Sequence, residues 1–170
     1  GRPLRLTIAA DATIDPAAVV RDGVTIGSGA VIEAGAVICS GTVIGDGCVV
    51  GENSVVGREP RLAAHSRAPR RPFGDTVLGS GVTVCAGAVI LAGARIGEGC
   101  VVGDQAHIRE RAAIGAGTVI GRGTTVDNDV EVGQRARIQT LVYVTAGSVV
   151  EDDVFIGPGA VTTNDDTMGR

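Results

Sequence analysis

Aliphatic side chains recur every six residues along this chain, at Ile8, Ile14, Val20, Ile26, Ile32, Ile38, Ile44, Val50 and Val56. The series resumes at Leu78, Val84, Ile90, Ile96, Val102, Ile108, Ile114, Ile120, Val126, Val132, Ile138, Val144, Val150 and Ile156, and Thr162 breaks it. A small or β-branched residue stands two positions before each aliphatic, as at Ala12, Ala30, Cys48, Ala88, Cys100 and Thr118, and Gly, Asp or Glu commonly follows. This is the hexapeptide pattern of a parallel β-helix. Each hexapeptide supplies one short strand and one turn, and three close a triangular coil of 18 residues. No coil is stable alone, but stacking coils at about 4.8 Å pairs their backbones and aligns the aliphatics in interior ladders. The pattern predicts one all-β domain over residues 1–170, of about eight coils and roughly 38 Å long.

The residue before each aliphatic points outward from a flat face and is often Val: Val19, Val31, Val37, Val43, Val49, Val55, Val89, Val101, Val119, Val149 and Val161. Burying that much apolar surface against identical neighbours is the economical arrangement, so a homotrimer is expected. The period breaks once. Between Val56 and Leu78 the step becomes 22 residues, and the segment GREPRLAAHSRAPRRPFGD, residues 57–75, reads as an extruded loop. Arg58, Arg61, Arg67, Arg70 and Arg71 against Glu59 and Asp75 give it +3, which leaves −7 elsewhere in a chain of net −4. The loop is either a solvated excursion whose arginines serve solubility or a basic flap that meets the phosphates of a nucleotide or of coenzyme A.

Composition narrows the class. With 44% hydrophobic residues in 170 the chain is not disordered, and with 27 glycines and 2% aromatics its core must be filled by aliphatic and small side chains. The negative balance and the lack of a long basic run argue against nucleic acid. No apolar run approaches the roughly 18 residues of a membrane span and no signal peptide opens the chain. The start at Gly1 reads as a processed or trimmed chain. Cys39, Cys48, Cys85 and Cys100 show no CxxC spacing, which fits a reduced, cytoplasmic protein. Cys48 and Cys100 fall at inward positions about two coils apart, too far for a disulfide.

Residues 18 apart should stack, and this gathers the polar residues on one ridge. Arg109, Asp127, Thr145 and Thr163 form one ladder; Glu110, Asn128, Ala146 and Asn164 the next; Arg111, Asp129, Gly147 and Asp165 the third. On the adjoining face His107, Thr125, Tyr143 and Val161 form an outward ladder, and the loop should leave from the same ridge, two coils above Arg109. His107 is either a surface histidine satisfied by a neighbour or a general base, since imidazole titrates near neutral pH. His65, in the loop, is its competitor. The acids Glu151 to Asp153 read as solvated turn residues. Two histidines 42 residues apart supply no zinc cluster, so no metal is expected.

The runs Gly133-Gln-Arg-Ala-Arg-Ile-Gln139, Tyr143-Val-Thr-Ala-Gly147, Glu151-Asp-Asp-Val-Phe-Ile-Gly-Pro158 and Thr163-Asn-Asp165 resemble those of hexapeptide acyltransferases that N-acetylate nucleotide-linked amino sugars. Gly103-Asp-Gln-Ala-His-Ile-Arg-Glu110 is similar to their preceding motif, and the insert after Gly57-Arg-Glu-Pro60 resembles a flap of one branch. The resemblance implies a left-handed helix and a trimer with sites between subunits, where acetyl-CoA serves as acyl donor and a nucleotide sugar as acceptor. It implies Arg109 and Glu110 on the substrate side, Asn164 and Asp165 at the site's far end and His107 in proton transfer; from the ladders beside them, Asn128 and Tyr143 are expected at the substrate and Thr145 and Thr163 at the coenzyme. Gln139-Thr-Leu141 departs from the Gln-Asn-Asn of many sugar N-acetyltransferases, so an amide that could contact the sugar is missing. Such relatives continue past the point matched by Arg170, so a truncated chain is expected. Two other readings stay open: an acyltransferase for another amine or a hydroxyl, and a non-catalytic trimeric scaffold.

Overall fold

The computed structural model describes residues 6–66 and 69–164. β-Branched residues dominate its strands, most of which are two residues long, and every third strand joins the same parallel sheet. Three sheets result, of eight, eight and seven strands, opening with Thr7–Ile8, Thr13–Ile14 and Val19–Val20. We call them the first, second and third faces. Together they form an all-β parallel solenoid of about eight turns. The register follows the 18-residue arithmetic: Thr7 pairs with Thr25, and His107 pairs with Thr125, which pairs with Tyr143. Among the described residues there is no helix long and apolar enough to cross a membrane.

The predicted inward aliphatics are the core. Ile26, Ile32, Ile38, Ile44, Ile90, Ile108, Ile120 and Ile138 are fully buried, with Ala30, Ala36, Ala88, Ala106 and Ala112 between them. Ile8 departs from the expectation: it is 41% exposed, because its strand has a neighbour on one side only. Where the small inward position is polar, a backbone carbonyl commonly accepts its proton, whereas the buried Thr42 hydroxyl has no partner. Thr118 Oγ1 donates to the Gly133 carbonyl at 2.8 Å, and the Cys48 and Cys100 thiols donate to the Gly79 and Gly115 carbonyls at 3.0 Å. All four cysteines are free.

Corner geometry is equally tight. A Cβ at Gly121 would collide with the backbone of Gln139 and Thr140 in the next coil. Of the outward valines, Val19, Val119, Val149 and Val161 are exposed, while the others are half-buried between ladder neighbours.

The loop begins later than the sequence suggests. The strand Val55–Arg58 takes in Gly57 and Arg58, and Arg58 pairs with Leu91 through a register irregularity. Strand structure resumes at Thr76–Leu78, where Val77 pairs with Val43 on the first face, so the solenoid continues past the insertion in its original order. Thr76 Oγ1 closes the junction by accepting the Gly93 N–H at 3.0 Å.

Candidate active site

The corner after the third face carries Arg109 to Arg111 and, one coil on, Asp127 to Asp129. Its third position takes positive φ: 76° at Gly93, 60° at Arg111, 57° at Asp129 and 72° at Gly147. Arg111 and Asp129 thus occupy a conformation that glycine holds above and below them, at a conformational cost that is of order 1 kcal/mol or more for Arg. In exchange, Arg111 donates from Nε and Nη2 to the two Asp129 oxygens at 2.7 and 2.9 Å. The same device holds Arg135 against Asp153 on an exposed corner, so the ion pair alone does not mark a site.

What sets the ridge apart is burial. The Glu110 side chain is 0% exposed and accepts Arg109 Nε at 3.1 Å and Nη2 at 2.8 Å. Arg109 Nη1 reaches Asp127 Oδ1 at 2.6 Å, and Tyr143 donates its hydroxyl to Asp127 Oδ2 at 2.7 Å. Accepting that proton, together with burial, pushes the Tyr143 pKa up. Asn128 Nδ2 donates to Asp129 Oδ2 at 2.8 Å. Hydrogen bonding by Arg111 holds Asp129 at about 2, well below its usual 3.8, helped by Asn128 and by Arg71 of the loop. The Arg71 guanidinium sits 2.9 Å from Asp129.

Among the described residues, two buried side-chain atoms of the ridge stay without a hydrogen-bond partner, Arg111 Nη1 and His107 Nε2. Burial lowers the His107 pKa, and the positive charges of Arg109 and Arg58 add to the effect, outweighing Asp127 and Glu110. The imidazole is therefore neutral at pH 7 and holds an acceptor or donor in reserve beside two cations. A shallow groove of about 840 Å³ runs along the first face past Val77, Arg95, Ala113, Glu131 and Val149. No unpaired buried polar atom lines it, so the ridge is the better candidate for chemistry.

The chain matches the model of the bacterial transferase hexapeptide (six repeats) over residues 6–40, 26–58, 75–110 and 93–128, more than half its length. It belongs to that hexapeptide transferase family. No curated protein matches the sequence significantly. Among solved structures the fold is similar to LpxA, a UDP-N-acetylglucosamine acyltransferase from Bacteroides fragilis, with TM-score 0.71 and 19% identity over 91% of this chain and 66% of LpxA. It is similar to a putative acetyltransferase of Bacillus cereus, with TM-score 0.57 and 15% identity over 89% of this chain and 77% of that one. PerB of Caulobacter crescentus, solved with CoA and GDP-perosamine, follows at TM-score 0.50 and 22% identity, over 90% of this chain and 54% of PerB.

In this hexapeptide scaffold His107, Arg109, Glu110, Asn128, Tyr143 and Thr145 share the ridge and its adjoining face. The Glu110 and Asn128 side chains are enclosed, Glu110 accepting from Arg109 and Asn128 donating to Asp129. Thr145 is buried, its N–H bonded to Thr162 Oγ1 at 2.8 Å. Thr163 and Asn164 are exposed, with Asn164 Nδ2 donating to the Ala146 carbonyl at 2.8 Å, and Asp165 and Arg67 lie outside the described residues. His65 stands in an exposed turn of the loop.

The acids of the later turn are more than solvated: Asp152 accepts the Gln134 N–H at 2.7 Å and Asp153 pairs with Arg135. Among the described residues no group of three His, Cys, Asp or Glu side chains could hold a metal ion. Asp127, which joins Arg109 to Tyr143, received no role from the sequence, and Arg58, read there as part of the basic flap, instead acts on His107. The 18-residue ladder pointed to Asp127; for Arg58 the register irregularity erased the signal.

Proposed function

We propose that this chain is an acyl-CoA-dependent N-acetyltransferase acting on a nucleotide-linked amino sugar, and that His107 Nε2 is its general base. The observation that carries the reading is the buried, unpartnered Nε2 of an imidazole kept neutral beside Arg58 and Arg109. Family membership supports it. So do neighbours of the same fold, one a UDP-N-acetylglucosamine acyltransferase and another solved with CoA and GDP-perosamine.

The acceptor amine nitrogen attacks the thioester carbonyl carbon. His107 takes the nitrogen's proton, and the C–S bond breaks to release CoA thiolate, which is protonated on leaving. Three of the five Arg109 N–H donors are held by Glu110 and Asp127, so two stay available for a substrate oxygen. The Tyr143 hydroxyl is oriented by Asp127, Asn164 would meet the substrate at the far end of the ridge, and Thr145 and Thr163 would face the coenzyme. Holding amine and thioester in line supplies much of the acceleration, since a neutral amine is already a good nucleophile. The assembly is a left-handed cytoplasmic homotrimer, in which the valine faces are covered by identical subunits.

Thiol release from acetyl-CoA, measured with UDP-, GDP- and dTDP-linked amino sugars, tests the reading. His107→Ala should lower kcat by about a hundredfold to ten-thousandfold. Absence of turnover with every amine acceptor overturns it. Leu141, 58% exposed where many sugar N-acetyltransferases carry an amide, favours a second acceptor class, so simple amines and sugar hydroxyls belong in the same panel.

A further inference from the structure

The extruded loop has a concavity of its own. A cavity of about 390 Å³ is lined by Pro60, Leu62, Arg70, Arg71, Pro72 and Phe73, outside the cluster around His107. Its walls hold two guanidinium groups, one aromatic ring and no carboxylate, on a chain whose net charge is −4. One cation is held by the loop and the other by the scaffold. Arg70 Nη2 donates to the Ala63 carbonyl at 3.0 Å and closes the loop on itself, while Arg71 Nη2 is anchored 2.9 Å from Asp129. Each spends one N–H donor this way and keeps four. Phe73 is braced by the Arg111 guanidinium at 5.5 Å, and Arg111 Nη2 also touches the Pro69 carbonyl at 3.5 Å.

From this arrangement we propose that the loop cavity binds a nucleoside phosphate, with the base against Phe73 and the prolines and the phosphate oxygens on Arg70 and Arg71. Arginine forks match phosphate geometry, apolar and aromatic walls suit a base, and the volume falls in the range of small-ligand pockets. The proposal deepens the transferase reading and rests on it for the origin of the ligand, either the nucleotide end of the acceptor sugar or the adenosine 3′-phosphate end of coenzyme A.

Titration calorimetry with UDP, GDP and dTDP in one arm and adenosine 3′,5′-bisphosphate in the other distinguishes the two sources. Saturable binding in at least one arm is expected, and Arg70→Gln with Arg71→Gln should weaken it about tenfold or more. Phe73→Leu should weaken it too. Arg61→Gln, which removes the same charge from the same loop outside the cavity, should leave it unchanged. Thermal melts confirm that each variant is folded. Binding in neither arm, or equal weakening by Arg61→Gln, overturns the proposal. Intact acyl transfer with nucleotide binding indifferent to Arg70 and Arg71 sinks the cavity alone; intact binding without turnover sinks the transferase reading alone.

Discussion

Replacing Asp129 by Asn keeps the shape and the tolerance of positive φ but removes the charge that joins Arg111 and the loop's Arg71. The carboxyl is held at about 2 against an ordinary 3.8, a difference worth about 2 kcal/mol at neutral pH. A folded-state pKa that is depressed contributes stability above the unfolded value, and the contribution is lost as pH falls from 3.8 through about 2. Asp129→Asn should therefore be less stable than wild type by about 2 kcal/mol at pH 7 and by about 1 kcal/mol at pH 3. The two should converge near pH 2. Urea unfolding followed by circular dichroism, at one protein concentration, measures this. The partners should contribute unequally: Arg111 makes two bonds with its side chain 14% exposed, while Arg71 makes one at 60% exposure. Arg111→Gln should then cost more than Arg71→Gln, which should cost less than about 1 kcal/mol. A wild-type to Asp129→Asn gap that does not change between pH 7 and pH 2 would refute the electrostatic account.

Because burial and two arginines lower the His107 pKa below 6.5, kcat/KM for acyl transfer should hold down to pH 6.5 and fall on an acid limb below it. The same depression makes stability linked to His107 fully present above 6.5 and lost as pH falls from there, a slope that His107→Ala should flatten. Gly121→Ala should destabilise by about 1–3 kcal/mol in thermal melts because its Cβ meets backbone of the next coil, whereas Gly99→Asn, at a site with no atom within 4 Å, should cost less than about 1 kcal/mol. Thr118→Val, which removes the acceptor of the Ala136 N–H at 3.0 Å, should cost about 1–3 kcal/mol, and Thr118→Ser should recover the hydrogen-bonding part.

Much of this architecture could be read from the period of the aliphatics, because each ladder position has one environment wherever both neighbouring coils are present. Ile8 fails the rule where stacking is one-sided. The 18-residue step also brought Arg109 onto Asp127 and Arg111 onto Asp129, as their bonds of 2.6 and 2.7 Å confirm. It could not show that Glu110 turns inward. That corner position is filled by Ala92 and Asn128 in the neighbouring coils, and only the space and the charge of Arg109 decide that a carboxylate fits there. Nor could a period foresee the register shift that sets Arg58 beside His107, or reach across the insertion to the contact of Arg71 with Asp129, which depends on where the loop folds back.

The loop leaves after Arg58 and the solenoid resumes at Thr76 with the register of the first face intact, Val77 on Val43. Such a corner behaves as a socket. A segment of different length or chemistry can be exchanged there without altering any interior ladder, so recognition can diversify while the scaffold is inherited unchanged. Trading residues 59–75 for a two-residue turn, or for the corresponding excursion of another solenoid, would make ligand choice a replaceable cassette and leave the ridge that carries His107 standing.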